Sequence, residues 1–268
     1  MKMSFAASDL AAAIDLAILY IAAEYIFITY AFGLIYKFVG WKNSIYIQRN
    51  FGWTGYCILG SVGVTYHELS HMITAVIFKH KINEVKLFRP FQGKADGTLG
   101  YVSHSWNKKS LFQKIGNFFI GTSPMLFGAG LLFAVLIYAY PHYFVRVAGI
   151  SEIPGSLWFA LSNMFGPANL LTPWTVIVLL ITIFICPHMH MSWADVKGAT
   201  SGAVAILMVA LFLSFAAAAA PAETMALVEE RAGTFIAYYI YALTLGLIMS
   251  LAMTMCFGLL SLVRGKGL

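Results

Sequence analysis

Residues 54 to 78 read TGYCILGSVGVTYHELSHMITAVIF, and this stretch decides the fold. It is apolar over a length that crosses a bilayer as one helix. His67 and His71 are four residues apart, so they project from one helical face and can bind one zinc ion together. Glu68 lies beside that face, where it can take a proton from water instead of ligating the metal. The pattern predicts a protease-type zinc site.

The alternative interpretation of this motif is structural. A helix can carry two hydrogen-bonded core histidines and one buried acid without any metal. Ionisable side chains at membrane depth are costly, however, and they usually serve a function. We therefore favour the metal site over the structural interpretation.

The composition of the whole chain predicts an all-α polytopic membrane protein. Hydrophobic residues make up 60% of the 268 residues, charged residues only 10%, and the mean hydropathy is +0.79. A soluble domain has about 25% charged residues. We expect a single membrane-embedded domain over residues 1–268, with about six transmembrane helices and short connections. The predicted spans are residues 10–39, 54–78, 116–140, 174–190, 199–219 and 233–262, and residues 40–53 are expected to form a linker.

The loop from residue 79 to residue 115 is the most polar part of the chain. Eight of the 17 basic residues lie in it: Lys79, Lys81, Lys86, Arg89, Lys94, Lys108, Lys109 and Lys114. The positive-inside rule places this loop and both termini in the cytoplasm, in an inner or plasma membrane. The same rule accounts for the net charge of +6 without nucleic acid as a partner. Residues 83–89 and 98–104 have strand-like composition and flank a turn region at 92–97, so we predict a small cytoplasmic β-hairpin.

A catalytic zinc site needs a third protein ligand. The predicted topology places Glu152, Glu223, Glu229 and Glu230 on or near the opposite side of the membrane. Our candidate is Asp195, which opens the fifth span and can point back at residues 67–71. A capping box from Ser192 to Asp195 could by itself explain this acid without a metal, but with H-E-x-x-H present in the chain we favour the ligand role. The other residues considered on the cytoplasmic side are Asp96, His80, His104, His188 and His190, of which the last two are the runners-up.

These residues resemble the site-2 proteases, zinc metalloproteases that cut transmembrane or membrane-proximal segments of other proteins. In that family H-E-x-x-H lies on one transmembrane helix, and an aspartate near another helix completes the zinc site. The resemblance implies that His67, His71 and Asp195 are Zn²⁺ ligands and that Glu68 is the general base. It covers residues 55–200 and is that of a divergent member, because Val196 rather than glycine follows Asp195.

The predicted function is hydrolysis of a peptide bond in or near a transmembrane segment of a membrane-protein substrate. Three alternatives stay open. A membrane metalloprotease of another class would use a glutamate as third ligand and cut soluble or lipidated peptides. A metal transporter would line a path through several spans with ligand-type residues. A non-catalytic membrane protein would bind a partner helix.

Overall fold

Helices dominate the part of the chain that the computed structural model describes, which is residues 16–140, 147, 149–170, 172–217 and 220–265. Short 3₁₀ helices lie at Ile150–Glu152 and Cys186–His188. The main elements are α1 Ala17–Ile77, β1 Lys81–Lys86, α2 Pro90–Asp96, β2 Tyr101–Ser105, α3 Leu111–Ala139, α4 Ile153–Met164, α5 Pro173–Phe184, α6 Trp193–Ala217 and α7 Ala222–Val263.

Four of the described helices, α1, α3, α6 and α7, are long and apolar enough to cross a membrane. This agrees with an integral membrane protein. The predicted count of six spans is not confirmed. The fourth predicted span, 174–190, corresponds to α5, whose 12 residues extend only about 18 Å. Residues 10–15 of the first predicted span and residues 218 and 219 of the fifth lie outside the described residues.

Two of the predicted spans lie on α1. This helix has 61 residues, about 90 Å at the usual rise per residue, which is three times the thickness of a bilayer core. Gly52 interrupts it with φ 67° and ψ −170°, a conformation that only glycine adopts readily. We call residues 17–51 the first limb and residues 53–77 the second limb. The expected linker at residues 40–51 is helical, because nothing before Gly52 breaks the helix.

The first limb and α7 run parallel to each other. Thr29 Oγ1 lies 3.2 Å from the Tyr239 hydroxyl near one end. Towards the other end, Asn50 Nδ2 donates to the Phe257 carbonyl at 2.9 Å. Because both partners advance along their helices together, α7 supports the first limb along most of its length.

The second limb packs against α3, and α3 packs against α6. The Tyr66 hydroxyl donates to the Pro124 carbonyl at 2.7 Å. On α3, Gly121 lies so close to α6 that an added Cβ would come within 2.6 Å of the Asp195 carbonyl oxygen. Small residues permit such close helix contacts in membrane proteins. This contact brings the start of α6 next to the second limb.

The predicted β-hairpin is confirmed. β1 and β2 pair antiparallel, from Lys81 with Ser105 to Lys86 with Tyr101. The connection between them is the short helix α2 rather than the expected turn. Gly97 ends this helix in the left-handed region, with φ 75°, as is common at a helix C-terminus.

The hairpin folds back along the second limb instead of extending away from it. The Trp53 indole donates to the Pro90 carbonyl at 3.2 Å. A Cβ on Gly100 would come within 2.7 Å of Glu68 Cγ and 3.0 Å of Val64 Cγ1. The residues leading into β2 therefore form one wall of the region that contains the histidine motif.

Candidate metal centre

Backbone carbonyls fix the orientation of both motif histidines, which are only 8% and 6% exposed. His67 Nδ1 donates to the His188 carbonyl at 2.8 Å, and His71 Nδ1 donates to the Ile120 carbonyl at 2.7 Å. A carbonyl oxygen only accepts, so each Nδ1 carries the hydrogen in the neutral ring. Each Nε2 is then left with a free lone pair.

These two lone-pair atoms face each other. His67 Nε2 and His71 Nε2 are 3.0 Å apart. Two acceptor nitrogens repel at this distance unless a cation or a proton lies between them. Two nitrogens bound tetrahedrally to zinc at the usual bond length would be about 3.3 Å apart. The pair is therefore arranged for a shared cation.

Asp195 completes the group from the start of α6. Its Oδ1 lies 3.4 Å from His71 Nε2, and its Oδ2 lies 3.8 Å from His67 Nε2. One ligand atom from each of the three side chains lies within 4.8 Å of the others. We call His67, His71 and Asp195 the donor group. The structure brings the three predicted ligands together in an arrangement that can hold a metal ion.

The capping box that offered the alternative explanation of Asp195 is also present. The Ser192 amide donates to Asp195 Oδ2 at 2.7 Å, and the Asp195 amide donates to Ser192 Oγ at 3.1 Å. The two interpretations are compatible, because the carboxylate that caps α6 also faces the two Nε2 atoms.

Glu68 lies beside the donor group. The carboxylate that comes within ion-pair distance of both histidines is that of Asp195. Glu68 is only 9% exposed to the outside. It lines two neighbouring internal cavities. A carboxylate in this place can exchange protons with a molecule bound at the donor group.

The two cavities meet at His67 and Glu68. The inter-limb cavity, of 240 Å³, lies between the first and second limbs. The hairpin cavity, of 380 Å³, lies under β2 and reaches His71 and Asp195. A chain bound across the donor group would have space on both sides of it.

The candidates from the polar loop do not join the donor group. His80 Nε2 donates to the Gln113 carbonyl at 2.8 Å, so its Nδ1 accepts from His104 Nδ1 at 3.0 Å. Burial, and then the neighbouring His80, lower the pKa of His104 to about 4, which keeps this ring neutral at physiological pH. Asp96 pairs with Arg89 on the exposed part of the hairpin.

His188 and His190 line the inter-limb cavity instead. The carbonyl of His188 orients His67, while its own Nδ1 donates to the Phe184 carbonyl at 3.1 Å. The ring centroid of His190 is 5.4 Å from that of His67. Both histidines therefore adjoin the donor group without belonging to it.

Asn43 is a site residue that no sequence motif predicted. This residue of the first limb is buried and lines the inter-limb cavity. A signal was present, since Gly40, Asn43 and Ile47 have the spacing of one helical face. The polar residues of this segment instead indicated a linker, which conceals the periodicity.

No protein-family model, curated protein or solved structure matches this chain. The geometry of the donor group and of the two cavities beside it is therefore the basis for a functional proposal.

Proposed function

We propose that the protein is an intramembrane zinc metallopeptidase that hydrolyses a peptide bond in or near a transmembrane segment of another protein. The observation that carries this proposal is the donor group itself, with two Nε2 lone pairs 3.0 Å apart and a carboxylate facing both. A peptidase also needs a proton acceptor and space for a peptide. Glu68 can supply the first, and the two adjoining cavities can supply the second.

His67, His71 and Asp195 would hold the zinc ion. Two imidazoles and one carboxylate are a donor set of catalytic zinc sites in proteases. A bound zinc ion supplies Lewis acidity, which makes water more acidic and polarises a carbonyl group. The backbone carbonyls of His188 and Ile120 keep both imidazoles in the tautomer that leaves Nε2 free to bind.

Glu68 would act as the general base and then as the general acid. Its carboxylate takes a proton from the attacking water and later gives it to the leaving amine. This role requires a position next to the donor group but outside it. Glu68 has such a position, on the boundary between the two cavities.

The setting of the site favours a membrane-protein substrate. The donor group is built from the second limb and α6, both on helices apolar enough to span a membrane. A helical substrate has its backbone amides hydrogen-bonded, so it must unwind locally before it can be cut. The two cavities offer space for an unwound segment on either side of the donor group.

The proposal is tested with the purified protein in detergent and a set of tagged single-span membrane proteins. We expect zinc-loaded protein to cleave at least one of them at a site in or next to its transmembrane segment. Cleavage should stop with 1,10-phenanthroline and return when zinc is added. Mass spectrometry of the products and terminal sequencing would measure cleavage and locate the cleaved bond. Cleavage that persists without zinc would contradict the proposal.

We further propose that the polar loop faces the cytoplasm, because eight of the 17 basic residues lie in it. The first limb begins beside the first turns of α3, where the ring centroids of Tyr25 and Phe118 are 6.0 Å apart, so this end lies on the same side as the loop. Because α7 runs parallel to the first limb, the end of α7 lies on the opposite side, and the prediction that both termini face the cytoplasm is not retained.

Lys108→Cys and Val263→Cys, in a background without Cys57, Cys186 and Cys256, should be labelled from opposite sides of the membrane, because Val263 is the exposed last residue of α7. Position 108 is chosen because it is exposed and lies beyond the hairpin that folds back along the second limb. Labelling of both positions from the same side would overturn this topology.

A further inference from the structure

Asn43 is a buried polar side chain that forms no side-chain hydrogen bond with the described residues. It is 1% exposed, and no group among the described residues pairs with its Oδ1 or its Nδ2. Burying an amide without partners is unfavourable, and buried polar groups in native proteins are nearly always paired. Asn43 therefore needs an explanation other than packing.

Asn50, two turns further along the first limb, shows how a packing asparagine behaves here. Its Nδ2 lies 2.9 Å from each of three acceptors, the Tyr46 carbonyl, the Phe257 carbonyl and Ser261 Oγ, which share its two hydrogens. Its Oδ1 has no partner among the described residues. The bonds to Phe257 and Ser261 join the first limb to α7. Asn43 forms no such bond, although it lies on the same limb.

What surrounds Asn43 is the inter-limb cavity, which also reaches His67 and Glu68. A second unpaired buried atom, Nδ1 of His190, belongs to the same lining. Part of the remaining lining is apolar and consists of aliphatic side chains and a methionine: Ile47, Leu59, Val64, Ile183 and Met253. The cavity thus combines unused hydrogen-bonding capacity with an apolar wall, next to the donor group.

We propose that Asn43 binds the backbone of the substrate residue that occupies the inter-limb cavity, beside the bond to be cut. A carboxamide carries one acceptor and two donor hydrogens, so it can pair with both the N–H and the C=O of a peptide. An unwound membrane segment needs such partners, because lipid supplies none. The apolar wall would select an aliphatic side chain at this position.

The size of the cavity fits this role. Its volume of 240 Å³ is below the ~300 Å³ at which small-molecule pockets begin. It therefore accommodates a residue or two rather than a folded segment. This inference rests on the proposed peptidase function, and it adds the substrate subsite and the residue that recognises the backbone.

The test compares two probes on the zinc-loaded protein by calorimetry. One probe is a hydroxamate-capped Leu-Ala peptide, and the other is acetohydroxamic acid, which has the same zinc-binding group without the peptide. Asn43→Leu and Asn43→Ala should weaken binding of the peptide hydroxamate by about tenfold or more, the scale of lost buried hydrogen bonds. Binding of acetohydroxamic acid should stay unchanged.

A thermal readout separates substrate binding from a structural role. Asn43→Leu should not lower the Tm, since it removes a polar group that has no partner. The matched variant Asn50→Leu should lower the Tm and keep the wild-type ratio of the two affinities. If Asn43→Leu lowers the Tm and keeps that ratio, Asn43 is structural and the inference is wrong.

Failure of the subsite and failure of the peptidase proposal give different results. If acetohydroxamic acid binds the wild type but the peptide hydroxamate binds no tighter, the subsite is wrong and the metal centre stands. If neither hydroxamate binds the zinc-loaded wild type, both proposals fail.

Discussion

Replacing Glu68 with glutamine is expected to lower the rate of peptide cleavage by at least about 10²-fold, the usual scale for loss of a general base. Glutamine keeps the size and hydrogen-bonding capacity of the side chain but removes the proton acceptor. Zinc content should stay at the wild-type value, because Glu68 lies outside the donor group. Cleavage rates and metal analysis on the same preparation check both parts.

Glu24→Gln is the matched control for this experiment. It makes the same chemical change on the first limb, at an exposed position that lines neither the inter-limb cavity nor the hairpin cavity. Its cleavage rate should equal that of the wild type. If Glu68→Gln cleaves at nearly the normal rate, the peptidase mechanism fails, and the transporter and partner-binding alternatives gain support.

His67→Ala and His71→Ala are expected to abolish stoichiometric zinc binding, whereas the wild type carries about one zinc per chain. Each substitution removes one of the two Nε2 atoms that face each other. His80→Ala is the control, since His80 pairs with His104 outside the donor group. Metal analysis after dialysis against a weak chelator checks the series.

Asp195→Asn separates the two roles of this side chain. An asparagine oxygen can still accept from the Ser192 amide, so α6 should keep its start and the Tm should change little. The negative charge beside the two histidines is lost, and zinc affinity should fall clearly. If Asp195→Asn retains full zinc while His188→Ala or His190→Ala loses it, the third ligand is wrongly assigned.

The donor group could be predicted because its signals are local. The spacing of His67 and His71 places both on one helical face whatever the rest of the fold, and a carboxylate at a helix start is visible as Ser192 to Asp195. The hairpin was predictable for the same reason, from strand-like composition around a turn-rich segment. The histidine pair, the capping box and the hairpin required no knowledge of how distant helices pack, whereas the pairing of Asp195 with the histidines depended on the predicted topology.

The inter-limb cavity could not be predicted in this way. It exists because α1 is interrupted at Gly52 and the polar segment before that residue stays helical, which places Asn43 beside residues of the second limb. The backbone carbonyls that orient the histidines leave no sequence signal either, since any residue could supply them. The count of about six spans is not confirmed, because apolar composition alone does not show that α5 stops after three turns.

The backbone contacts of the donor group have a consequence for the entropy of ion binding. The His188 carbonyl, the Ile120 carbonyl and the Ser192 amide each restrain one of the three side chains before any ion arrives. Immobilising a free side chain costs about 0.5–1.5 kcal/mol. Here the rotamers are set when the helices assemble, so the site is preorganised. An ion can therefore leave and return to a scaffold that keeps its shape.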